Sequence, residues 1–181
     1  MTESKNKCVF VIGPESSGST LVARIISANL NRHDFAEYDG TNFNASHFQH
    51  RVCHRSLPSR NPHVPDWPDI DNWLVEFADY QIYFVICIRD INISERSRLV
   101  RSRGVPGLSL SWEKVHADSQ LAKLFIIDIL KRDLDYCFWS YESFVYLGRD
   151  YLRLVNRFLD IDADFVPELK DGNVKYLIGS K

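Results

Sequence analysis

Val9 to Ile26 reads VFVIGPESSGSTLVARII. Four apolar residues, Val9, Phe10, Val11 and Ile12, run into Gly13. The next seven, Pro14-Glu15-Ser16-Ser17-Gly18-Ser19-Thr20, are rich in hydroxyls. Beyond them the apolar spacing turns helical, at Leu21, Val22, Ile25, Ile26 and Leu30. This is strand, tight loop, helix. Such a loop directs backbone N–H groups and a helix N-terminus at one point, which suits an anion, usually phosphate. Gly13 to Gly18 has the Gly-x4-Gly spacing of a nucleotide triphosphatase loop. Ser19, however, stands where that loop needs a lysine to reach the terminal phosphates. A hydroxyl-rich loop without the lysine suits a ligand anchored by phosphate but not cleaved between phosphates.

Bulk properties narrow the class. At 181 residues, 45% hydrophobic and 25% charged, the chain has the size and composition of one soluble globular domain with a real core, expected over 1–181. A net charge of −2 excludes a generally polycationic nucleic-acid binder, so an anion site must come from a local basic cluster. Cys8, Cys53, Cys87 and Cys137 lie in or beside apolar runs without a C-x-x-C pair. That pattern points to reduced, buried thiols and not to a disulfide framework or zinc site. The opening MTESKNK lacks the apolar core of a signal peptide. No run approaches the ~20 apolar residues of a membrane span. The expected location is cytoplasmic, with no membrane and no nucleic-acid partner.

Alternating strand and helix signals predict an α/β fold: a mostly parallel central sheet flanked by helices on both faces, a P-loop-NTPase-like three-layer sandwich. Strands are expected at Lys7–Ile12, His50–Ser56, Gln81–Ile88 and Asp135–Ser140. QIYFVICI, residues 81–88, is the clearest of them, apolar and β-branched without polar alternation. Helices are expected at Ser19–Asn31, at Asp69–Tyr80 behind Pro68, and from Asn92, capped with Glu95, to Arg103 before Gly104. Two more are expected: Ser111–Arg132, buried along Trp112, Val115, Ala122, Phe125, Ile126 and Ile129, and an unbroken Ser143–Leu159. Residues 33–68 are largely irregular and polar, longer than an ordinary loop, and read as a substrate-side segment. The stretch after 160 reads as a polar tail.

A second anion signal sits at the carboxyl end of the best strand. Arg89 follows Ile88 directly, and open α/β sheets bind ligands at that edge. Ser97 comes eight residues later, inside the next helix. Arginine as a bidentate donor and serine as a neutral one can converge on a single phosphate. A charge directly behind a buried strand needs a partner. Arg96, Arg98, Arg101 and Arg103 read instead as the solvated face of an arginine-rich helix.

With both signals in place, the chain resembles the small sulfotransferases that use 3′-phosphoadenosine-5′-phosphosulfate (PAPS). Ser17-Gly18-Ser19-Thr20 match the heart of that family's 5′-phosphosulfate loop. Arg89 and Ser97 match its 3′-phosphate pair. Tyr141-Glu142 resembles its Tyr-Glu pair, whose tyrosine lies near the adenine; FLDI, Phe158–Ile161, resembles its closing helix; Lys170-Asp171-Gly172 resembles its terminal basic-glycine loop. The resemblance implies PAPS as cofactor and PAP (adenosine 3′,5′-bisphosphate) as product. It implies no metal, and Ser16, Ser17, Gly18, Ser19, Thr20, Arg89, Ser97 and Tyr141 as cofactor ligands. The implied reaction moves a sulfuryl group to a hydroxyl or amine of a small-molecule or glycan acceptor. One departure stands out. The family carries lysine or arginine where this chain has Ser16, and a carboxylate, Glu15, precedes it.

The resemblance places HRSLP, residues 54–58, against the family's Lys-Thr-His-Leu-Pro segment. His54 then falls on the lysine and Ser56 on the catalytic histidine. Arg55 is a candidate for the missing cation. His54, which ionises near neutral pH, is a candidate base or a strand histidine bonded to backbone. His63, Asp66 and Asp69 are other base candidates, and His116 reads as structural or as an acceptor-site residue. Trp67 and Trp73 are candidates for shaping an acceptor pocket for a sugar or a phenol. Two other functions fit the residues. One is a degenerate, non-catalytic nucleotide-binding homologue. The other is a P-loop kinase or NTPase, for which Asp90 would make a poor metal ligand.

Overall fold

The computed structural model describes residues 5–32, 49–59, 65–103 and 110–177. In chain order the elements are β1 (Lys7–Pro14), α1 (Ser19–Asn31), β2 (Arg51–Leu57), α2 (Ile70–Glu76), β3 (Gln81–Ile88) and α3 (Ile91–Arg103). They continue with α4 (Trp112–Leu130), β4 (Tyr136–Ser140), α5 (Tyr141–Leu147), α6 (Arg149–Phe158) and the short α7 (Val174–Leu177). All strand pairings are parallel, and the sheet order is β2-β1-β3-β4. β1 therefore has a strand on each side, and every carboxyl end points the same way.

Apolar residues on both faces of β1 explain the layers, because a parallel strand covered by helices on both sides has no polar face. Val9 and Val11 pack with Val22, Ile25 and Ile26 of α1 and with Phe144, Leu152 and Val155 of α5 and α6. Cys8, Phe10 and Ile12 face the other way, onto Trp73 of α2 and Ile129 of α4. The fold is thus α/β with helices on both sides of a parallel sheet. Among the described residues, no helix is long and apolar enough to cross a membrane. Cys8, Cys53 and Cys87 are free and buried, and Cys137 is free and half-buried. Burial pushes the Cys137 thiol up to about 12, which keeps it protonated and inert.

Several expectations change on contact with the fold. The long C-terminal helix is two helices, α5 and α6, which meet at Gly148. Gly148 adopts φ 55°, and both donates to Phe144 and accepts from Leu152, so it ends one helix and begins the next. α3 is capped by Asp90, whose carboxylate accepts the Ile93 N–H at 3.0 Å; Glu95 turns inward to His116 instead of pairing with Asn92. Trp112 is exposed at the first turn of α4, while Val115, Ala122 and Ile129 are buried as the spacing predicts. Trp73 is a core residue, stacked on Phe10 with centroids 4.4 Å apart, and is not among the residues lining the cavity at the carboxyl edge of the sheet. Gly104, His63 and most of the irregular 33–68 segment lie outside the described residues.

Candidate functional site

The loop between β1 and α1 sits at the carboxyl end of the central strand. Gly13 passes so close to β3 that a Cβ there would lie 2.6 Å from the Cys87 carbonyl oxygen. The chain turns through Ser17 N–H donating to the Pro14 carbonyl at 3.0 Å, and Glu15 N–H donates to the Leu57 carbonyl at 3.3 Å, tying the loop to the end of β2. Ser16 has φ 69° and Gly18 φ 90°. At Gly18 only glycine fits, since a Cβ would meet the Tyr141 ring at 2.9 Å. Among the described residues no side chain caps α1. Its first amides therefore remain donors at a positive dipole end.

The loop hydroxyls fall into two pairs. Ser16 Oγ and Ser17 Oγ are buried and have no hydrogen-bond partner among the described residues. Buried polar atoms seldom stay unpaired. Ser19 Oγ and Thr20 Oγ1 lie 2.9 and 3.4 Å from His54 Nε2. The β1–β2 register explains why His54 and not Arg55 reaches them. His54 pairs with Val11, on the α1 side of the sheet, whereas Arg55 pairs with Ile12, on the α2–α4 side. Arg55 accordingly points away from the loop: it donates to the Pro65 carbonyl and does not line the pocket. Burial lowers its pKa, with Asp66 working in the opposite direction.

Arg89 leaves β3 at the same edge. Its Nη1 donates to the Ser16 carbonyl at 2.8 Å, and its Nε donates to Asn173 Oδ1 at 2.8 Å. The guanidinium also covers the Tyr141 ring, 4.4 Å from the centroid. Asn173 is held in turn by Glu142, whose Oε1 accepts from Asn173 Nδ2 at 3.2 Å and from the Asp90 N–H at 3.1 Å. On α3, Ser97 and Arg101 face the same space, one turn apart. Ser97 Oγ accepts from the Tyr176 hydroxyl at 3.0 Å. Burial raises the Tyr176 pKa, but the Ser97 bond and nearby Lys175 outweigh it and the net shift is downward.

These residues enclose a cavity of about 350 Å³, walled by the loop (Glu15, Ser16, Gly18–Thr20), by Arg89, Ser97 and Tyr141, and by Gly172, Lys175 and Tyr176. Both anion signals read from the sequence thus open onto one space. Three cations, Arg89, Arg101 and Lys175, line it. The one acid among the described wall residues, Glu15, is ion-paired with Arg98 at 3.2 Å. Arg98 is 2% exposed and Arg101 lines the cavity, so of the α3 arginines expected on a solvated face only Arg96 and Arg103 are exposed away from the lining. A larger cavity of about 540 Å³ lies around Lys7 and His50, but Lys7 Nζ is committed there to the Leu159 and Asp160 carbonyls. It sits at the amino end of β1, away from the edge where α/β sheets take ligands.

The remaining candidates lie elsewhere. Asp69 caps α2 by accepting from Asn72 N–H at 3.1 Å. Asp66 is exposed near Arg55. Trp67 packs against Phe125. His116 pairs with Glu95 at 3.3 Å and does not line the pocket. Sequence reasoning missed Lys175 and Tyr176, which line the pocket, and Asn173, which holds Arg89 beside it, all in a segment with no regular periodicity. The Lys170-Asp171-Gly172 match marks their neighbourhood, and Gly172 N–H donates to the Tyr141 hydroxyl at 2.9 Å. Among the described residues, no three His, Cys, Asp or Glu side chains gather as a metal site requires.

Fold and pocket together define an α/β protein whose first strand–loop–helix turn opens onto a cation-lined pocket. No protein-family model matches the chain, and no curated protein matches it. Among solved structures, it is similar to the mouse sulfotransferase SULT7A1 complexed with PAP, with 15% identity and a TM-score of 0.49. The match covers 95% of this chain and 62% of that one, so this chain spans less than two thirds of its neighbour. Neither the fold nor the reading of the pocket rests on that likeness.

Proposed function

We propose that the pocket holds an adenosine 3′,5′-bisphosphate unit and that the protein is a PAPS-dependent sulfotransferase. The observation that carries this reading is the convergence of Arg89 and Ser97 with the Ser16–Thr20 loop on one cavity. Its volume of about 350 Å³ falls in the ~300–1,000 Å³ range of small-ligand sites. The orphaned Ser16 and Ser17 hydroxyls and the uncapped start of α1 suit one phosphate. Ser97, Arg101 and Lys175, with Arg89 beside the loop, suit a second, and the edge of the Tyr141 ring adds an apolar surface to the same cavity.

PAPS, when bound, supplies an activated sulfuryl group whose departure leaves charge on the 5′-phosphate. The amides of Gly18–Thr20 and the α1 dipole receive that charge in a preformed cradle. His54 works at Nε2. It takes up the acceptor's proton through Ser19: Ser19 Oγ receives that proton as its own hydroxyl hydrogen passes to His54 Nε2, 2.9 Å away, and the resulting imidazolium donates back to Ser19 Oγ. The same residue thus adds positive charge beside the loop, where Ser16 supplies none.

A second reading has its own observation. Ser16 is uncharged and Arg55 points away, so a non-catalytic binder of the same nucleotide fits the pocket equally. Calorimetric titration with PAP, with ATP as control, tests what both readings share: PAP should bind and ATP should not. No heat with PAP would defeat both. Sulfate transfer across a panel of phenol, sugar and amine acceptors separates them.

A further inference from the structure

Glu15 poses an electrostatic problem. Its carboxylate belongs to the wall of a pocket otherwise built from hydroxyls, amides and cations. Unopposed, it would repel an anionic ligand and raise the cost of any negative charge beside it. The fold answers with Arg98, which spends its whole guanidinium inside the protein. Nε donates to Glu15 Oε2 at 3.2 Å, Nη2 to Asp118 Oδ2 at 2.7 Å and Nη1 to the Val115 carbonyl at 3.2 Å. Lys114 donates to Asp118 Oδ1 at 2.8 Å from the next turn of α4. The cluster therefore holds two carboxylates and two cations. Burial pushes the Asp118 pKa up, yet the bonds from Lys114 and Arg98 prevail and hold it below the usual range. Asp118 therefore stays ionised and fixes Arg98 in place.

We propose that Arg98 is a positioning residue of the anion loop: it cancels the Glu15 charge and anchors the loop to α3 and α4, so that the pocket presents only positive potential to its ligand. This rests on the reading of the pocket as a bisphosphate site. The arginine never touches the ligand in this scheme; it acts through Glu15. Its removal therefore weakens anion binding only while Glu15 carries a charge.

PAP titration, with thermal melting of each protein, tests this on four forms: wild type, Glu15→Gln, Arg98→Met/Asp118→Asn, and the triple variant that adds Glu15→Gln to that pair. Pairing Arg98→Met with Asp118→Asn avoids stranding a second buried carboxylate. Glu15→Gln should bind PAP as tightly as wild type or more tightly. Arg98→Met/Asp118→Asn should bind at least tenfold more weakly. The triple variant should return to within threefold of wild type. A folded triple variant as weak as the double one overturns the proposal, because shape and not charge would then govern. If the double variant does not fold, a triple variant that folds and binds within threefold still supports it, and one that folds without binding overturns it. A tenfold loss in Glu15→Gln alone also overturns it. Wild type that binds neither PAP nor inorganic pyrophosphate defeats the pocket reading along with it; wild type that binds PAP leaves that reading standing whatever the variants show.

Discussion

Arg89 lies against the ring of Tyr141, 4.4 Å from its centroid, while its nitrogens reach both the loop carbonyl of Ser16 and the side chain of Asn173. One guanidinium thus joins the loop between β1 and α1 to the segment carrying Asn173. Arg89→Ala is expected to weaken PAP binding tenfold or more, since hydrogen bonds to charged groups contribute roughly 1.5–3 kcal/mol. Arg89→Lys should not restore it, because an ammonium lacks the planar fork that reaches two partners while stacked on a ring. Calorimetry on both variants measures this, and unchanged affinity in Arg89→Ala would remove the residue from the site.

Gly18 makes a separate demand on the loop. Its φ of 90° already disfavours a side chain, and the Tyr141 ring blocks the space where one would sit. Gly18→Val should abolish PAP binding, with strain of the order of 1–3 kcal/mol and a lowered but still cooperative melting transition. Retained affinity would show that the loop does not hold the ligand.

Trp73 tests the division between core and site. Its ring stacks on Phe10 at 4.4 Å with nearly parallel planes. Trp73→Ala should cost ~3–5 kcal/mol of stability, as large-to-small core changes do, and read out as a lower denaturant midpoint. PAP affinity of the folded fraction should not change. A lost acceptor preference without lost stability would return Trp73 to the pocket.

His50 gives the fold a mild acid sensitivity. Its Nδ1 accepts the Lys7 N–H at 3.0 Å, which requires a bare nitrogen. Burial, with Lys7 nearby, lowers its pKa below the ordinary value. A histidine depressed in the folded state contributes stability that is complete above the unfolded pKa of about 6.5 and lost as pH falls through the lower folded value. Melting temperature should therefore fall from pH 7.5 towards pH 5, and His50→Asn, which keeps an acceptor without the titration, should flatten that fall. An identical pH profile in the variant would clear His50.

Particular residues show what the sequence could and could not reveal. Strand β3 was legible, because a parallel strand buried on both faces must be apolar through its middle, as Tyr83–Cys87 is. Helix α1 was legible too, from the change in apolar period after Gly18. Gly148 was not: one glycine within an amphipathic run reads as tolerated, and only tertiary packing decides that it turns a corner. At the site, the loop and Arg89 were visible because strand ends and glycine spacing are local signals. The inward turn of Arg98 was hidden. Its partners Glu15 and Asp118 are 83 and 20 residues away, and nothing in an arginine-rich helix says which arginine faces in. Asn173 and Tyr176 were hidden for the same reason, in a segment whose role depends on contacts 84 and 79 residues distant.

The central position of β1 has a dynamic corollary. Its backbone is laddered on both sides, to β2 and to β3, so its amides should exchange with solvent only when the whole molecule opens. The cradle hangs directly from that strand and inherits its rigidity. The stretch carrying Asn173 and Tyr176 is held by a few side-chain bonds and one short helix, and should exchange far sooner. One wall of the cavity is thus fixed at the timescale of global unfolding and the opposite wall is renewed many times within it, a contrast that amide exchange mass spectrometry can read directly.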